Sequence, residues 1–343
     1  MVKESPAKVK IKRINQICIL VNDLELVAEN FWKILGIGPW SIFKWEAPMV
    51  YGRIYHGKPA WAREKIALAQ VGDVQIELAQ AIDGPSIYED WVEEHGEGLH
   101  HINFLLDTAD EYKRTVESLN NDGFECIQSG RFGPPEKGYR YTYINIPPLR
   151  TIWEPVHESK EDAGLVPIMF PDTKEESPAK VKVKNINKIA IAVKNVELVA
   201  ENFWKILGIG PWSIYNWERP FVYDRIYHGK PEWAREKIAS AQVGSVQLEL
   251  MQAVDGPSIY GDWVEEHGEG LHHINFLLDT AEEYERTIKS LTTDGFESLQ
   301  SGRFGPLEKG YRYTCINIPP LRTIWEPVYE GEVDVETIMV PKE

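Results

Sequence analysis

Four short apolar segments of the chain carry polar side chains of types that can do chemistry. They are INQICILV at 14–21, VQIELAQ at 74–80, LHHINFL at 99–105 and TIWEPV at 151–156. Side chains alternate between the two faces of a strand, so each polar residue lies opposite an apolar face. An ionisable group at the centre of a strand is costly unless it is paired, hydrated or bound to metal. The four positions therefore predict a polar cavity lined by a β-sheet, and they are Gln16, Glu77, His101 and Glu154.

The other half of the chain repeats this pattern. Segment 4–158 aligns without a gap with 176–330 at an offset of 172, with about 31 differences in 155 positions, or about 80% identity. A repeat of this length is a whole domain. The sequence predicts two duplicated domains, 1–172 and 173–343, each ending in a strap marked by IMFP at 168–171 or IMVP at 338–341. The four polar positions of the second domain are Lys188, Glu249, His273 and Glu326.

The elements that must position these side chains follow the same order twice within each half. Alternating apolar residues predict strands, helical spacing and capping residues predict helices, and glycines mark the turns. The order is strand, helix and about three strands, then a short helix, then the same order again. Each half is thus predicted to be α+β, with two βαβββ modules. In the first half, strands are expected at 14–21, 40–45, 50–56, 64–70, 73–79, 98–106, 124–130, 139–146 and 149–156, and helices at 24–35, 85–94 and 108–123.

Composition excludes several classes of function. The chain has 343 residues and a formal charge of −16, from 37 basic and 53 acidic residues, and this acidity argues against binding to nucleic acid or to anionic lipid. No apolar run is long enough to span a membrane, and the N-terminus lacks the apolar core of a signal peptide. The GRFGP segment is a turn rather than a phosphate-binding loop, so no nucleotide cofactor is expected. A cytoplasmic protein that acts on a small molecule is the expectation.

The three cysteines do not recur between the repeats. Cys18 aligns with Ala190, Cys126 with Ser298, and Cys315 with Tyr143. An activity that both halves share therefore does not need a cysteine nucleophile. Free thiols in so few positions agree with an intracellular chain.

The segments INQICILVNDLELVAENFWKILGIGPW, VQIELAQ, GEGLHHINFLLD and TIWEPV resemble the vicinal oxygen chelate superfamily, and in particular methylmalonyl-CoA epimerase and its relatives. The resemblance covers nearly all of each half. It implies tandem domains whose paired βαβββ modules form a cupped mixed sheet around a divalent metal.

The resemblance also implies a ligand set in each domain. Oxygen and imidazole donors suit Zn, Ni, Co, Mn or Fe. Gln16 stands where the epimerases have histidine, which makes the first set similar to that of eukaryotic glyoxalase I. Lys188 cannot ligate metal while it is protonated, so metal is expected mainly in the first domain, and the lysine would take over the electrostatic role of the metal. The implied ligands are Gln16, Glu77, His101 and Glu154 in the first domain and Glu249, His273 and Glu326 in the second.

The implied chemistry is movement of a proton next to a carbonyl group. Glu154 and Glu326 are the candidate bases, and Lys188 the candidate cation. Lys65 and Lys237 align with a second catalytic glutamate of the epimerases, and a shift of one residue in register would instead turn Glu64 and Glu236 inward. A buried lysine with a lowered pKa can act as a base.

The resulting hypothesis is an epimerase or racemase that acts on an acyl-CoA or an aromatic ketone through an enolate stabilised by metal or lysine. The alternatives are a glyoxalase-type isomerase or lyase acting on a thiohemiacetal, and a non-catalytic binding protein of the bleomycin-resistance type. An extradiol-type dioxygenase is disfavoured by the near-identical halves and by Lys188. Modules of this superfamily pair across chains, so either a monomer with pseudo-dimeric halves or a homodimer is expected.

Overall fold

The computed structural model describes residues 4–134, 138–159, 167–171, 176–306, 310–331 and 338–340. Within these ranges the chain forms two mixed sheets of eleven strands each and six α-helices, which confirms the predicted α+β class and the two tandem domains. No helix in the described ranges is long and apolar enough to cross a membrane.

The first repeat contains one sheet and three α-helices, with a short 3-10 helix at Pro147–Leu149. Its helices are α1 Leu24–Leu35, α2 Ile87–His95 and α3 Ala109–Asn121. Its strands are β1 Gln16–Leu20, β2 Trp40–Trp45, β3 Val50–Tyr55, β4 Lys58–Pro59, β5 Arg63–Val71, β6 Val74–Asp83, β7 Gly98–Leu105, β8 Glu125–Phe132, β9 Tyr139–Ile146, β10 Thr151–Glu158 and β11 Ile168–Phe170.

The second repeat follows the same order, with a 3-10 helix at Pro319–Leu321. Its helices are α4 Val196–Ile206, α5 Ile259–His267 and α6 Ala281–Thr293. Its strands are β12 Lys188–Ala192, β13 Trp212–Trp217, β14 Val222–Tyr227, β15 Lys230–Pro231, β16 Arg235–Val243, β17 Val246–Asp255, β18 Gly270–Leu277, β19 Glu297–Phe304, β20 Tyr311–Ile318, β21 Thr323–Tyr329 and β22 Ile338–Val340.

Local sequence signals determine where the helices begin and end. The Asp23 side chain accepts a hydrogen bond from the Leu26 amide at the start of α1, and Gly36 ends this helix in the left-handed region at φ +67°. Thr108 caps α3 by accepting from the Glu111 amide at 3.1 Å. Such caps satisfy amides that have no partner inside the helix. The predicted bounds of α1 and the predicted cap of α3 are confirmed.

The strand order shows two βαβββ modules joined side by side. One module contributes β2-β5-β6-β1 and the other β7-β10-β9-β8, with β1 antiparallel to β7 at the junction. In each module the first strand is parallel to the last, β1 to β6 and β7 to β10.

One strand departs from the predicted modules. The sequence order predicts that β3 pairs within the first module, but it pairs with β8 of the second module. The reason is that β2 already has β5 on one side and β11 on the other, so it offers β3 no free edge.

Each sheet curves strongly enough to bring distant strands together. In the first sheet β2 and β8 are seven steps apart in strand order, yet the rings of Trp45 and Phe132 stack at 3.8 Å between centroids. Trp217 and Phe304 stack at 3.9 Å in the same way in the second sheet. We call the concave face of the sheet built from the first repeat the first cup, and that of the other sheet the second cup.

The contacts of the chain divide it into two compact units that differ from the sequence repeats at their N-terminal arms and at a short segment, 148–150. One unit comprises Arg13–Pro147 and Thr151–Ala179, and the other comprises Met1–Lys12, Pro148–Arg150 and Lys180–Glu343. In the first of these units Ser177 Oγ donates to the Trp32 carbonyl at 2.6 Å, and in the other Ser5 Oγ donates to the Trp204 carbonyl at 2.5 Å. The arm before each repeat therefore belongs to the unit built on the other repeat. The boundaries 1–172 and 173–343 remain a prediction about the duplication.

Candidate active sites in the two cups

The four polar positions of the first repeat lie on four neighbouring strands. β6, β1, β7 and β10 follow one another in the sheet and carry Glu77, Gln16, His101 and Glu154 respectively. All four side chains are buried, with residue exposures between 0% and 5%. His101 Nε2 lies 3.3 Å from Glu154 Oε2, and Gln16 Nε2 donates a hydrogen bond to Glu77 Oε2. The structure thus brings together the residues that the sequence pattern singled out.

Neighbouring side chains hold the histidine and the glutamate in place. Asn103 Nδ2 donates to Glu154 Oε2 at 2.7 Å. The Nδ1 atoms of His100 and His101 are 2.8 Å apart, which leaves Nε2 of His101 turned toward the carboxylate. Burial, and then the neighbouring His101, hold the pKa of His100 well below its usual value, so His100 is neutral at physiological pH.

The first cup has donor atoms that a divalent metal would satisfy. Among the described residues, Glu77 Oε1 and His101 Nε2 are buried and have no hydrogen-bond partner. Burial, followed by repulsion from Glu154, raises the pKa of Glu77 well above its usual value. Oxygen and imidazole donors of this kind suit divalent transition metals. Gln16, Glu77, His101 and Glu154 therefore fit the metal that the sequence resemblance implied.

The second cup keeps three of the four groups in the same arrangement. His273 Nε2 lies 3.4 Å from Glu326 Oε2, and Asn275 Nδ2 donates to the same oxygen at 2.8 Å. Burial raises the pKa of Glu326, but His273, Asn275 and Lys188 together outweigh it and leave this pKa below its usual value. Glu326 is therefore ionised at neutral pH.

Lys188 occupies the fourth position as a buried cation. Its Nζ lies 3.2 Å from Glu249 Oε1, 3.1 Å from Glu330 Oε1 and 4.9 Å from the centre of the Tyr311 ring. Burial lowers the pKa of Lys188, but the surrounding carboxylates and Tyr311 overcome this and raise it well above its usual value. Lys188 is therefore an ammonium ion, suited to stabilise negative charge and unsuited to act as a base or as a metal ligand.

The second cup encloses a cavity of about 360 Å³. Lys188, Glu249, Glu326 and Glu330 give it a polar floor. Six aromatic rings form much of the remaining wall, together with five smaller or aliphatic residues, and the rings are those of Tyr215, Trp217, Tyr260, Phe304, Tyr311 and Tyr313.

Lys65 and Lys237 lie outside the cups, and the prediction that they act there is wrong. Lys65 Nζ donates to Glu25 of α1 at 2.6 Å, and Lys237 Nζ donates to Glu197 of α4 at the same distance. Both lysines therefore lie on the face of the sheet that the helices cover.

The alternative register is the observed one, because it turns Glu64 and Glu236 inward, each only 2% exposed. Glu64 accepts hydrogen bonds from both terminal nitrogens of the Arg53 guanidinium, and also from Ser86. Arg225 and Ser258 hold Glu236 in the equivalent place. A carboxylate neutralised in this way forms part of a structural ion pair and is not available as a free base.

The sequence analysis does not identify two carboxylates that lie at the ends of β10 and β21. Glu330 lines the second cavity and contacts Lys188, and Glu158 is its equivalent in the first repeat. Burial raises the pKa of Glu158 above its usual value. The signal was present, since 154, 156 and 158 share one face of a strand by alternation.

The sequence analysis also does not count the cysteines of the cups among the candidate metal ligands. Cys18, His100 and His101 place donor atoms within 4.8 Å of one another in the first cup, and His273, Cys315 and Glu326 do so in the second. The lack of recurrence between the repeats hid these thiols, because each repeat supplies its thiol from a different strand.

Comparison with protein families gives one match, present twice in the chain. Residues 15–143 and 187–314 match the Glyoxalase/Bleomycin resistance protein/Dioxygenase superfamily. Among curated proteins, none matches this chain significantly.

Solved structures with a similar fold are distant in sequence. A mutant of 4-hydroxymandelate synthase from Streptomyces coelicolor is 13% identical over 95% of this chain and 95% of that one, with a TM-score of 0.59. A fusion protein of a xylose isomerase-like TIM barrel with 4-hydroxyphenylpyruvate dioxygenase is 11% identical, with a TM-score of 0.54, and the match covers 97% of this chain and 51% of the fusion. A Mn(II)-bound glyoxalase from Novosphingobium aromaticivorans is 13% identical over 95% of this chain and 84% of that one, with a TM-score of 0.49. At such identities the first two matches show a shared fold.

Proposed function

The chain belongs to the glyoxalase/bleomycin resistance protein/dioxygenase superfamily, and we propose that within it the chain is an epimerase or racemase that moves a proton next to a carbonyl group. The observation that carries this proposal is the same in both cups. A buried glutamate, Glu154 or Glu326, is oriented by an asparagine and lies beside a position suited to a cation. A base next to an electrophile is what the formation of an enolate requires.

The residues of the second cup can each take a part in this reaction. The Lys188 ammonium would stabilise the negative charge that develops on the carbonyl oxygen. Glu326, ionised at neutral pH, would accept the proton. Inversion of the carbon centre needs a proton donor at a different position, and Glu330, which lines the same cavity, would fill that role when its carboxyl group is protonated.

In the first cup Gln16, Glu77 and His101 would hold a divalent metal, and Glu154, the fourth implied ligand, would act as the base only while it is not bound to that metal. When bound, such a metal supplies a Lewis acid that polarises the carbonyl group. Asn103 fixes the orientation of the Glu154 carboxylate, and Glu158 is the second carboxylate at the end of the same strand.

The cavity favours an aromatic ketone over an acyl-CoA. Its wall of rings suits a flat apolar ligand, and 360 Å³ is within the range of sites for small molecules. Three carboxylates with one lysine give it an acidic floor that would repel the phosphates of a CoA.

The test is incorporation of solvent deuterium into candidate aryl ketones and acyl-CoA thioesters, followed by NMR. We expect exchange at the α-carbon with the intact chain, and loss of about 100-fold or more when both Glu154→Gln and Glu326→Gln are present, since a positioned base contributes about 10²–10⁴-fold. Lys65→Gln and Lys237→Gln are the matched controls, because these lysines lie outside the cups.

Exchange at the original rate in the doubly substituted chain would contradict the roles of the two glutamates. Tight binding of ketones without any exchange would favour the non-catalytic alternative, a binding protein.

A glyoxalase-type reaction on a thiohemiacetal is a second candidate, favoured by the Gln16, Glu77, His101 and Glu154 set of the first cup. Its assay is conversion of the adduct of methylglyoxal and glutathione, which should then depend on Gln16. Iron dioxygenases of the two-histidine, one-carboxylate type need a second histidine ligand. The set formed by those four positions contains one histidine, so this activity is not proposed.

A further inference from the structure

The second cup contains a group of three metal-binding side chains that shares His273 and Glu326 with the set implied by the family and has Cys315 in place of Glu249. His273 on β18, Cys315 on β20 and Glu326 on β21 place one donor atom each within 4.8 Å of one another. All three residues are buried, with exposures of 0%, 0% and 4%. His273 Nε2 has no hydrogen-bond partner among the described residues.

The Glu326 carboxylate contacts both of the other donors at distances close to those between ligand atoms around zinc. The Cys315 thiol donates to Glu326 Oε1 at 3.5 Å, and His273 Nε2 lies 3.4 Å from Glu326 Oε2. Zinc binds nitrogen, oxygen and sulfur at about 2.0–2.3 Å, and tetrahedral angles then separate the ligand atoms by about 3.3–3.6 Å. Since the two contacts end on different oxygens of Glu326, the carboxylate would bind the ion through both oxygens or turn one of them toward it.

Comparison of the repeats shows that this group is particular to the second cup. The first repeat has Tyr143 at the position of Cys315. The Tyr143 hydroxyl hydrogen bonds to Tyr88 at 2.5 Å, and its ring lies 4.9 Å from that of His101. Exchange of this tyrosine for cysteine removes a ring from beside the histidine and puts a sulfur donor there.

Lys188 does not prevent this binding mode. Its closest carboxylates are Glu249 and Glu330, at 3.2 and 3.1 Å, so the ammonium has its own counter-charges. A divalent metal on one thiolate and one carboxylate is also neutral overall. The two cations would thus be held by separate groups of ligands.

We propose that the second cup binds a thiophilic divalent metal, zinc by its donor set, on His273, Cys315 and Glu326. Three protein ligands leave the fourth position of a tetrahedral ion open for a small molecule, as in catalytic zinc sites. On binding, the Cys315 thiol releases its proton to solvent and its sulfur bonds to the metal. The inference concerns metal content: the proton transfer proposed for Glu326 belongs to the second cup without metal, because a carboxylate bound to zinc is a ligand and not a free base.

The test uses the full chain carrying Cys18→Ala, the residue that the second repeat has at that position, so that Cys315 is the one fully buried thiol. The chain is stripped of metal with a chelator and titrated with Co(II). We expect a saturable thiolate-to-cobalt charge-transfer absorption in the near ultraviolet. Adding Cys315→Ser should abolish it and weaken Co(II) binding to the second cup at least tenfold, since loss of even an outer-shell partner costs about 10–100-fold.

Two further variants complete the comparison. Cys126→Ser, which introduces the residue of the second repeat, should keep the absorption. Cys315→Tyr, which introduces the residue of the first repeat, should lose it. No charge-transfer absorption in the Cys18→Ala chain, or an absorption that survives Cys315→Ser, would overturn the proposal.

A second measurement does not require a variant at the site. In the chain with Cys18→Ala and Cys126→Ser, Zn(II) should slow the reaction of the remaining thiol with a disulfide reagent at least tenfold. An unchanged rate would overturn the proposal. Neither readout uses enzymatic turnover, so its failure can be told apart from failure of the deuterium-exchange test.

Discussion

The two cups differ in charge, because one has the amide of Gln16 where the other has the ammonium group of Lys188. Gln16 donates to Glu77, whereas Lys188 forms ion pairs with Glu249 and Glu330. Further exchanges lie in the same cups, with Leu68 replaced by Ser240 and Tyr143 by Cys315. These positions change the charge, the space and the donor atoms of the cup. We therefore expect the two cups to prefer different ligands.

Loss of the Lys188 ammonium should destabilise the protein. In Lys188→Met, Glu249 would be left buried without its cation, and breaking a buried ion pair from one side costs about 3–5 kcal/mol. We expect the free energy of unfolding in urea to fall by about 3 kcal/mol. Lys237→Met is the control, because its pair with Glu197 is about one third exposed and should contribute less than about 1 kcal/mol. Equal losses in the two variants would contradict the assignment of Lys188 as a buried counter-ion.

The residues of the candidate sites were predictable to the extent that strand alternation governs them. Gln16, Glu77, His101 and Glu154 share a cup because each takes the inward position of its strand. The inward position of β5 was not predictable, because Glu64 and Lys65 are adjacent charged residues that point to opposite faces. Alternation alone does not show which of the two faces the cup. The buried Arg53 settles this by pairing with Glu64, and that contact joins residues on different strands.

At the scale of elements, helices were easier to predict than strand partners. The caps at Asp23 and Thr108 act within one turn of chain, so the sequence contains the whole signal. The pairing of β3 with β8 depends on which sheet edges stay free after the other strands have paired. No local pattern encodes that outcome.

The ion pair of Arg53 on β3 with Glu64 on β5 should stabilise the elements that meet there. Arg53→Met would leave a buried carboxylate unpaired, and we expect a loss of about 3–5 kcal/mol in the free energy of unfolding. The double variant Arg53→Met with Glu64→Leu should recover most of this loss. No recovery in a double-mutant cycle would show that the arginine acts through packing rather than charge.

At the scale of the whole molecule, the two sequence repeats and the two compact units are not the same division of the chain. The arm at 4–12 belongs to the unit built on the second repeat, where Ala7 and Val9 are buried and the Ile11 amide donates to the Leu207 carbonyl at 3.0 Å. A boundary drawn from sequence identity therefore separates each unit from at least one of its own segments.

Removal of residues 1–12 should weaken the unit built on the second repeat and leave the other unit intact. Hydrogen exchange should show faster exchange in α4, at Val196–Ile206, where the arm hydrogen bonds to Trp204. The equivalent helix α1, at Leu24–Leu35, is the internal control, because Ser177 and not Ser5 contacts it. Faster exchange in α1 alone would reverse the assignment of the arms.

Because each arm packs in the unit built on the other repeat, joining the repeats in one chain sets the effective concentration at which an arm meets its unit. If the repeats were separate chains, each arm would have to be captured from solution, and its occupancy would fall on dilution. Within one chain the arm at 176–179 reaches its unit intramolecularly, and a short tether typically supplies a local concentration on the order of millimolar. The stability of the unit built on the first repeat should then be independent of protein concentration. A half-length chain would be stable only at concentrations high enough for its arm to bind a second copy.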